Sequence, residues 1–438
     1  MYIRTPKRYR GMQRRRMFSC QRFLMMLLLV LFIVIGIGIY EMRDLVRPQM
    51  MQVIDAGMNE VDSWQSTQFA PTPTATQNPQ NTLIDAGNNW DAGRITFALN
   101  SYDDVIELLP NDVPVHTRLA EGYLTRGNIT DALDYADRTV TADPFNPDAW
   151  ATRALVYSWE ENYAEGIASA QQALALDPQN VRANAYLGYA YFQADEYNLA
   201  LARAEDAIEL DPDHWSGYWI RGLISENVIP VDVEAAQIDF ERSYNLALTQ
   251  NHAMAGVVAA GIARTYIYFG NSARGAEILN EYLTTDHSNR EVLYGLGRVY
   301  TDMGEWSQAQ EVLLDCVDLI PDDYSCWYLL GRNRNNLGNQ EGALDAFEEA
   351  IELDTPFARH YWWAAFLQRS LGSCTGATEY LETGYDMVIE GGLPAAEEGN
   401  TILISDFEAE MATCRIAVVP PNATSTPAAE STEEVGDA

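Results

Sequence analysis

The sequence predicts an all-α chain: a right-handed superhelical solenoid of antiparallel helix pairs, held to a membrane by one N-terminal transmembrane helix. Three observations predict it. Prolines 110, 144, 178 and 212 recur every 34 residues, and Pro321 closes a later unit of the same length. Glycines 127, 270, 304, 338 and 372 stand where a first helix must stop, because glycine takes the left-handed conformation of a helix C-terminus without steric cost. An uncharged run, FLMMLLLVLFIVIGIGIY, follows a basic N-terminus.

Residues 1–22 carry Arg4, Lys7, Arg8, Arg10, Arg14, Arg15, Arg16 and Arg22 and no acid. The eighteen apolar residues 23–40 reach roughly 27 Å as a helix, enough for a bilayer core. Basic residues stay on the cytoplasmic side, so the expected topology is a single-pass signal-anchor in the cytoplasmic membrane, with the remainder outside. A cleaved signal peptide is the competing reading, but no A-x-A-like site follows the run. Cys20 precedes the run, the wrong side for a lipid-modified cysteine.

Residues 41–82 are expected to be a juxtamembrane stalk and a Pro/Thr-rich linker. Val46, Met50, Val53, Val61 and Trp64 have helix-like spacing interrupted by Gly57, and PTPTATQNPQNT from Pro71 is an extended spacer. Residues 391–419 hold ILISDFEAEMATCRIAVV, an apolar pattern without a partner unit, expected to cap the open end of the array. Residues 420–438 are a polar, acidic, proline-bearing tail, expected to be disordered.

The array itself is expected over 83–390, as one degenerate repeat and eight full ones beginning near Val113, Pro147, Val181, Trp215, Gly256, Arg290, Tyr324 and Ala358. Small residues Ala98, Ala132, Gly166, Ala200, Gly275, Ala309, Ala343 and Ala377 mark the close contact within each pair. The unit starting at Trp215 carries seven extra residues around NVIPVDVE and LTQNHAMAG. This is either a hinge or a tolerated insertion, and the second reading is preferred.

Charge excludes one class of partner. The chain has 28 basic and 63 acidic residues, net −35, and Lys7 is its only lysine. Without the basic arm, 20 basic residues face 63 acidic ones, a surface that repels phosphate backbones, so nucleic acid is not expected. The five histidines are scattered singly; His116 is expected to be packed and the other four at surfaces or turns. No metal-ligand spacing, nucleophile elbow or phosphate loop is present, so no cofactor, metal or enzymatic activity is expected. Cys316 and Cys326 fall on neighbouring helices of adjacent repeats, while Cys374 lies in a turn that the cap bearing Cys414 can cover. Those two disulfides are expected, the alternative being four separate thiols.

Leu187, Gly188, Tyr191, Ala200, Ala207 and Pro212, then Leu296, Gly297, Tyr300, Gly304, Ala309 and Pro321, with Trp150 at a tryptophan position, resemble the tetratricopeptide repeat over roughly Thr82 to Glu390. The resemblance implies that first helices line a concave groove through their second, fifth, ninth and twelfth positions. Arg264, Arg298 and Arg332 then share the ninth position, and Tyr294, Tyr328 and Trp362 the fifth, with Phe366 and Arg369 beside Trp362. A ladder of arginines next to aromatic faces would hold an extended ligand with acidic or carbonyl groups; the alternative is arginines paired with neighbours such as Glu291 and Asp302. The ninth positions of the first three repeats, Glu121, Leu155 and Tyr189, lie outside this ladder. The family's known lysine clamp for a terminal carboxylate does not fit a chain with no lysine beyond Lys7. The expected function is a membrane-anchored, extracytoplasmic scaffold binding a partner protein or extended peptide, the alternative being a glycan-binding or biogenesis accessory factor of the cell envelope.

Overall fold

The structure, a computed structural model, describes residues 79–228, 230–391 and 404–416. The basic arm, the apolar run 23–40, most of the stalk and linker, and the acidic tail lie outside the described residues. Among the described residues, no helix is long and apolar enough to cross a membrane.

Nineteen α-helices make up this part, eighteen of them in nine antiparallel pairs. In chain order these are α1 (Pro79–Asp91) with α2 (Ile95–Asp103), α3 (Val113–Leu124) with α4 (Ile129–Ala142), α5 (Pro147–Trp159) with α6 (Tyr163–Leu176), and α7 (Val181–Gln193) with α8 (Tyr197–Leu210). Then come α9 (Trp215–Asn227) with α10 (Val233–Gln250), α11 (His252–Tyr268) with α12 (Ser272–Leu283), and α13 (Arg290–Asp302) with α14 (Trp306–Leu319). The last pairs are α15 (Tyr324–Asn336) with α16 (Gln340–Glu352) and α17 (Ala358–Ser370) with α18 (Cys374–Gly391), followed by α19 (Ile404–Cys414). A 3-10 turn at Ile106–Leu108 joins the first two pairs.

Local chemistry sets these boundaries. Asn or Asp caps most first turns: the side chains of Asp112, Asn146, Asn180, Asn289 and Asp323 each accept an amide of the helix that follows. Helix stops use the left-handed residue, and it recurs even without glycine. Glu161 and Asp195, 34 and 68 residues after Gly127, hold φ of 61° and 60°. Two boundaries differ from the sequence expectation. The first helix begins at Pro79, inside the expected linker, because proline suits the first helical turn. The fifth full repeat begins at His252 rather than Gly256, because Asn251 caps it by accepting the Met254 amide.

Within each pair the small residues bring the two helices together. Ala98, Ala132, Ala200, Ala309, Ala343 and Ala377 are wholly buried. A Cβ on Gly188 would lie 3.1 Å from the Ala200 carbonyl oxygen, so only glycine leaves that approach open. Each pair packs on the next, and one buried cluster runs from Ala120 to Val299. At the far end Phe407 and Met411 of α19 enter a cluster with Ala377, Leu381 and Tyr385 of α18, closing an otherwise open apolar face.

Candidate functional site

The inner faces of α3, α5, α7 and α9 enclose a cup of about 270 Å³. Its polar lining includes Arg118, Glu121, Asp148, Arg182 and His214, and Trp90 and Trp215 form apolar walls. The Arg182 guanidinium donates to Glu121 at 2.6 Å and to Thr152 at 3.2 Å, and lies over the Tyr186 ring. Arg118 packs against Trp90 and Tyr102, 5.7 and 5.9 Å from the ring centroids. Asp148 accepts a hydrogen bond from the Asn180 side chain at 2.9 Å. His214 stacks on Trp215, and burial followed by the nearby Arg182 charge pushes its pKa down to about 4, so the ring is neutral at pH 7.

The cup is bounded on one side by the extra residues of the fourth full repeat. They lengthen α10 and bring its end back across the inner face, where the Asn251 side chain donates to Glu121 at 2.7 Å, 130 residues away. The insertion thus supplies a contact across the inner face. Glu121, expected to lie outside the arginine ladder, is 3% exposed and holds both Arg182 and Asn251.

A second set of contacts locks the early repeats to the late ones. Arg126 and Asp286 form an ion pair at 2.7 Å, with side chains 8% and 0% exposed. The Arg290 amide donates to the Thr125 carbonyl at 2.8 Å, and Gly127 faces the Ile320 side chain. Beside this lock lies a cleft of about 540 Å³, where Glu160, Glu161, Glu291, Asp322 and Asp323 surround Arg290.

The groove residues expected from the sequence are only partly gathered. Arg264, Tyr294 and Arg298 line one hollow of about 30 Å³. Arg264, however, is held by Glu226, with its Nη2 at 2.8 Å, a partner 38 residues back that no spacing rule singled out. Arg369 is held by Glu410 of α19. Arg298 and Arg332 lie over the rings of Tyr294 and Tyr328, at 5.9 and 5.7 Å. Tyr328 itself is 1% exposed, stacked on His360 at 4.3 Å and packed against Phe347, so it belongs to the core. Trp362 and Phe366 stack at 5.4 Å and stay half-buried. His116 is packed as expected, but His360 is fully buried rather than at a surface, and burial pushes its pKa down to about 3.

Disulfides join Cys316 to Cys326 and Cys374 to Cys414. Cys316, Cys326 and Asp323 are the one group among the described residues with clustered metal-ligand atoms, and the S–S bond removes both thiolates a metal would need.

Comparison with known proteins supports the repeat. Residues 160–220 match one family model described as Tetratricopeptide repeat, and residues 89–147 and 294–356 match another of the same description. No curated protein matches the chain. Among solved structures, the APC/C hetero-tetramer Cut9-Hcn1 is 14% identical with a TM-score of 0.57 over 72% of this chain; the match spans 58% of the length of that chain. A human IFIT1 dimer with m7Gppp-AAAA is 15% identical with a TM-score of 0.50, over 73% of this chain and 76% of that one. At such identities the likeness concerns the fold alone. The segments 89–147, 160–220 and 294–356 thus match tetratricopeptide-repeat models, and they are carried on an all-helical solenoid.

Proposed function

We propose that the protein is a membrane-anchored scaffold whose repeat array lies outside the cytoplasm and holds a partner protein or extended peptide. The repeats are of a kind suited to protein–protein interaction. The anchor rests on the apolar run 23–40 behind a basic arm. No catalytic step enters this reading.

The observation that carries the binding surface is the Trp362–Phe366 stack, half-buried on the first helix of the last repeat, with the Tyr294–Arg298 pair two repeats earlier. Large aromatics and arginine supply most of the energy in protein interfaces. Two of the four arginines that pointed to an acidic partner, Arg264 and Arg369, are already neutralised within the chain, so the partner need not be acidic.

A photo-crosslinking side chain at position 362 of the full-length membrane protein is the test. A discrete protein adduct, lost when Phe366 is changed to alanine, is the expected result. Adducts to glycan alone would replace this reading with the envelope-polymer one. External protease on cells with the outer barrier opened tests the topology: an array that stays protected refutes it.

A further inference from the structure

We propose that the open-mouthed cup on the inner face of the first four full repeats is a binding site for a small zwitterion, a free amino acid being the simplest. The first ground is an orphaned group. Tyr186 lines the cup and is 0% exposed, and its hydroxyl has only the Arg182 guanidinium near it, without a hydrogen bond of regular geometry to any group of the chain. Buried hydroxyls in folded proteins are nearly always partnered, so an unpartnered one marks where an outside atom belongs. Burial keeps this phenol protonated, able to donate as well as accept.

The second ground is the tautomer of His214. The Ser216 amide can only donate, and it donates to Nδ1 at 3.3 Å, so the ring proton sits on Nε2. Among the described residues no acceptor is found for that N–H. Tyr186, Arg182 and His214 thus place three donors on one cavity lining, a set that suits a carboxylate.

The third ground is charge balance. Arg118 and Arg182 are matched by Glu121 and Asp148, so the lining is neutral overall but divided in sign. A ligand of net charge would upset that balance against the walls of Trp90 and Trp215, where charge is weakly screened. A zwitterion offers its carboxylate to the donors and its ammonium to Asp148, whose Oδ1 already takes Asn180. Size favours a small ligand: Asn251 narrows the inner face, and the volume of about 270 Å³ is at the low end for ligand pockets. This site is independent of the protein-binding surface proposed above.

The test is calorimetric titration and thermal shift of the full chain with the standard amino acids, then with propionate and ethylamine, which carry one charge each. At least one amino acid is expected to bind and to raise the melting temperature, with the single-charge probes about tenfold weaker or more, since each lacks one charged contact. Tyr186→Phe removes only the orphan hydroxyl. It should leave the unliganded protein folded and no less stable, while weakening binding about five- to tenfold, as for one hydrogen bond. The proposal is overturned if no amino acid binds at millimolar concentration, so that the cup holds only water. It is equally overturned if the single-charge probes bind as well, or if Tyr186→Phe binds unchanged.

Discussion

One buried ion pair lies at the centre of the contact between early and late repeats, and Asp286→Ala tests what it does. Asp286 is fully buried; it accepts from Arg126 at 2.7 Å, from the Tyr282 hydroxyl at 3.2 Å and from the Ser288 amide at 3.3 Å. Removing the carboxylate strands a guanidinium that is 8% exposed, and breaking one side of a buried pair costs about 3–5 kcal/mol. A solenoid need not unfold as a whole to relieve that cost. The lock can open instead, letting Arg126 reach water while each repeat keeps its own packing. The Arg290 amide reports on this directly. It is the first residue of α13 and has no partner within its helix, so its protection rests on the 2.8 Å bond to the Thr125 carbonyl across the lock. Hydrogen exchange at Arg290 should therefore accelerate in Asp286→Ala, with little change at amides inside α13. Replacing both partners with leucine should cost less than the single change, because no charge is left buried. Unchanged exchange at Arg290, or a double variant as damaged as the single one, would refute the reasoning.

Three further outcomes are expected. His360 has a folded pKa of about 3 against an ordinary 6.5, so the unfolded chain binds the extra proton between those values; stability should be unaffected by this group above pH 6.5 and fall by up to about 1.4 kcal/mol per unit as pH drops toward 3. Denaturant titrations of His360→Phe should show that slope removed. Gly127→Ala meets both a positive φ of 73° and a clash with the Ile320 methyl, whereas Gly338→Ala at φ 81° meets nothing within 4 Å; melting should show the first costing more than the roughly 1 kcal/mol of the second. Reduction of Cys374–Cys414, which spans 40 residues, should remove about 4 kcal/mol of chain-entropy stabilisation and loosen α19, seen as faster proteolysis near Phe407.

Much of the architecture is legible in the sequence because each repeat is a local object. Its caps, its left-handed stop and the small residues of its helix contact lie within 34 residues of one another, so the period, the stops and eight of nine close contacts can be read along the chain. The resemblance also proposes which positions face inward. It could not say which side chains there are engaged by the chain itself: Arg264 is held from 38 residues away and Arg369 by the capping helix. Glu161 and Asp195 escaped notice because a left-handed residue without glycine leaves no signal in composition.

What only the tertiary structure decided is how the array closes. Rotation accumulates from one repeat to the next, and its sum determines which distant residues meet. Nothing in a single period relates Glu121 to Asn251 or Arg126 to Asp286, 130 and 160 residues apart. Seven extra residues read as a tolerated interruption because their effect depends on direction: they extend α10 and carry Asn251 across the inner face, turning an open groove into a cup. The sequence by itself determined a stack of helical pairs with their inner faces aligned. Long-range geometry, through buried charges that must find partners, decided which part of that face stays open.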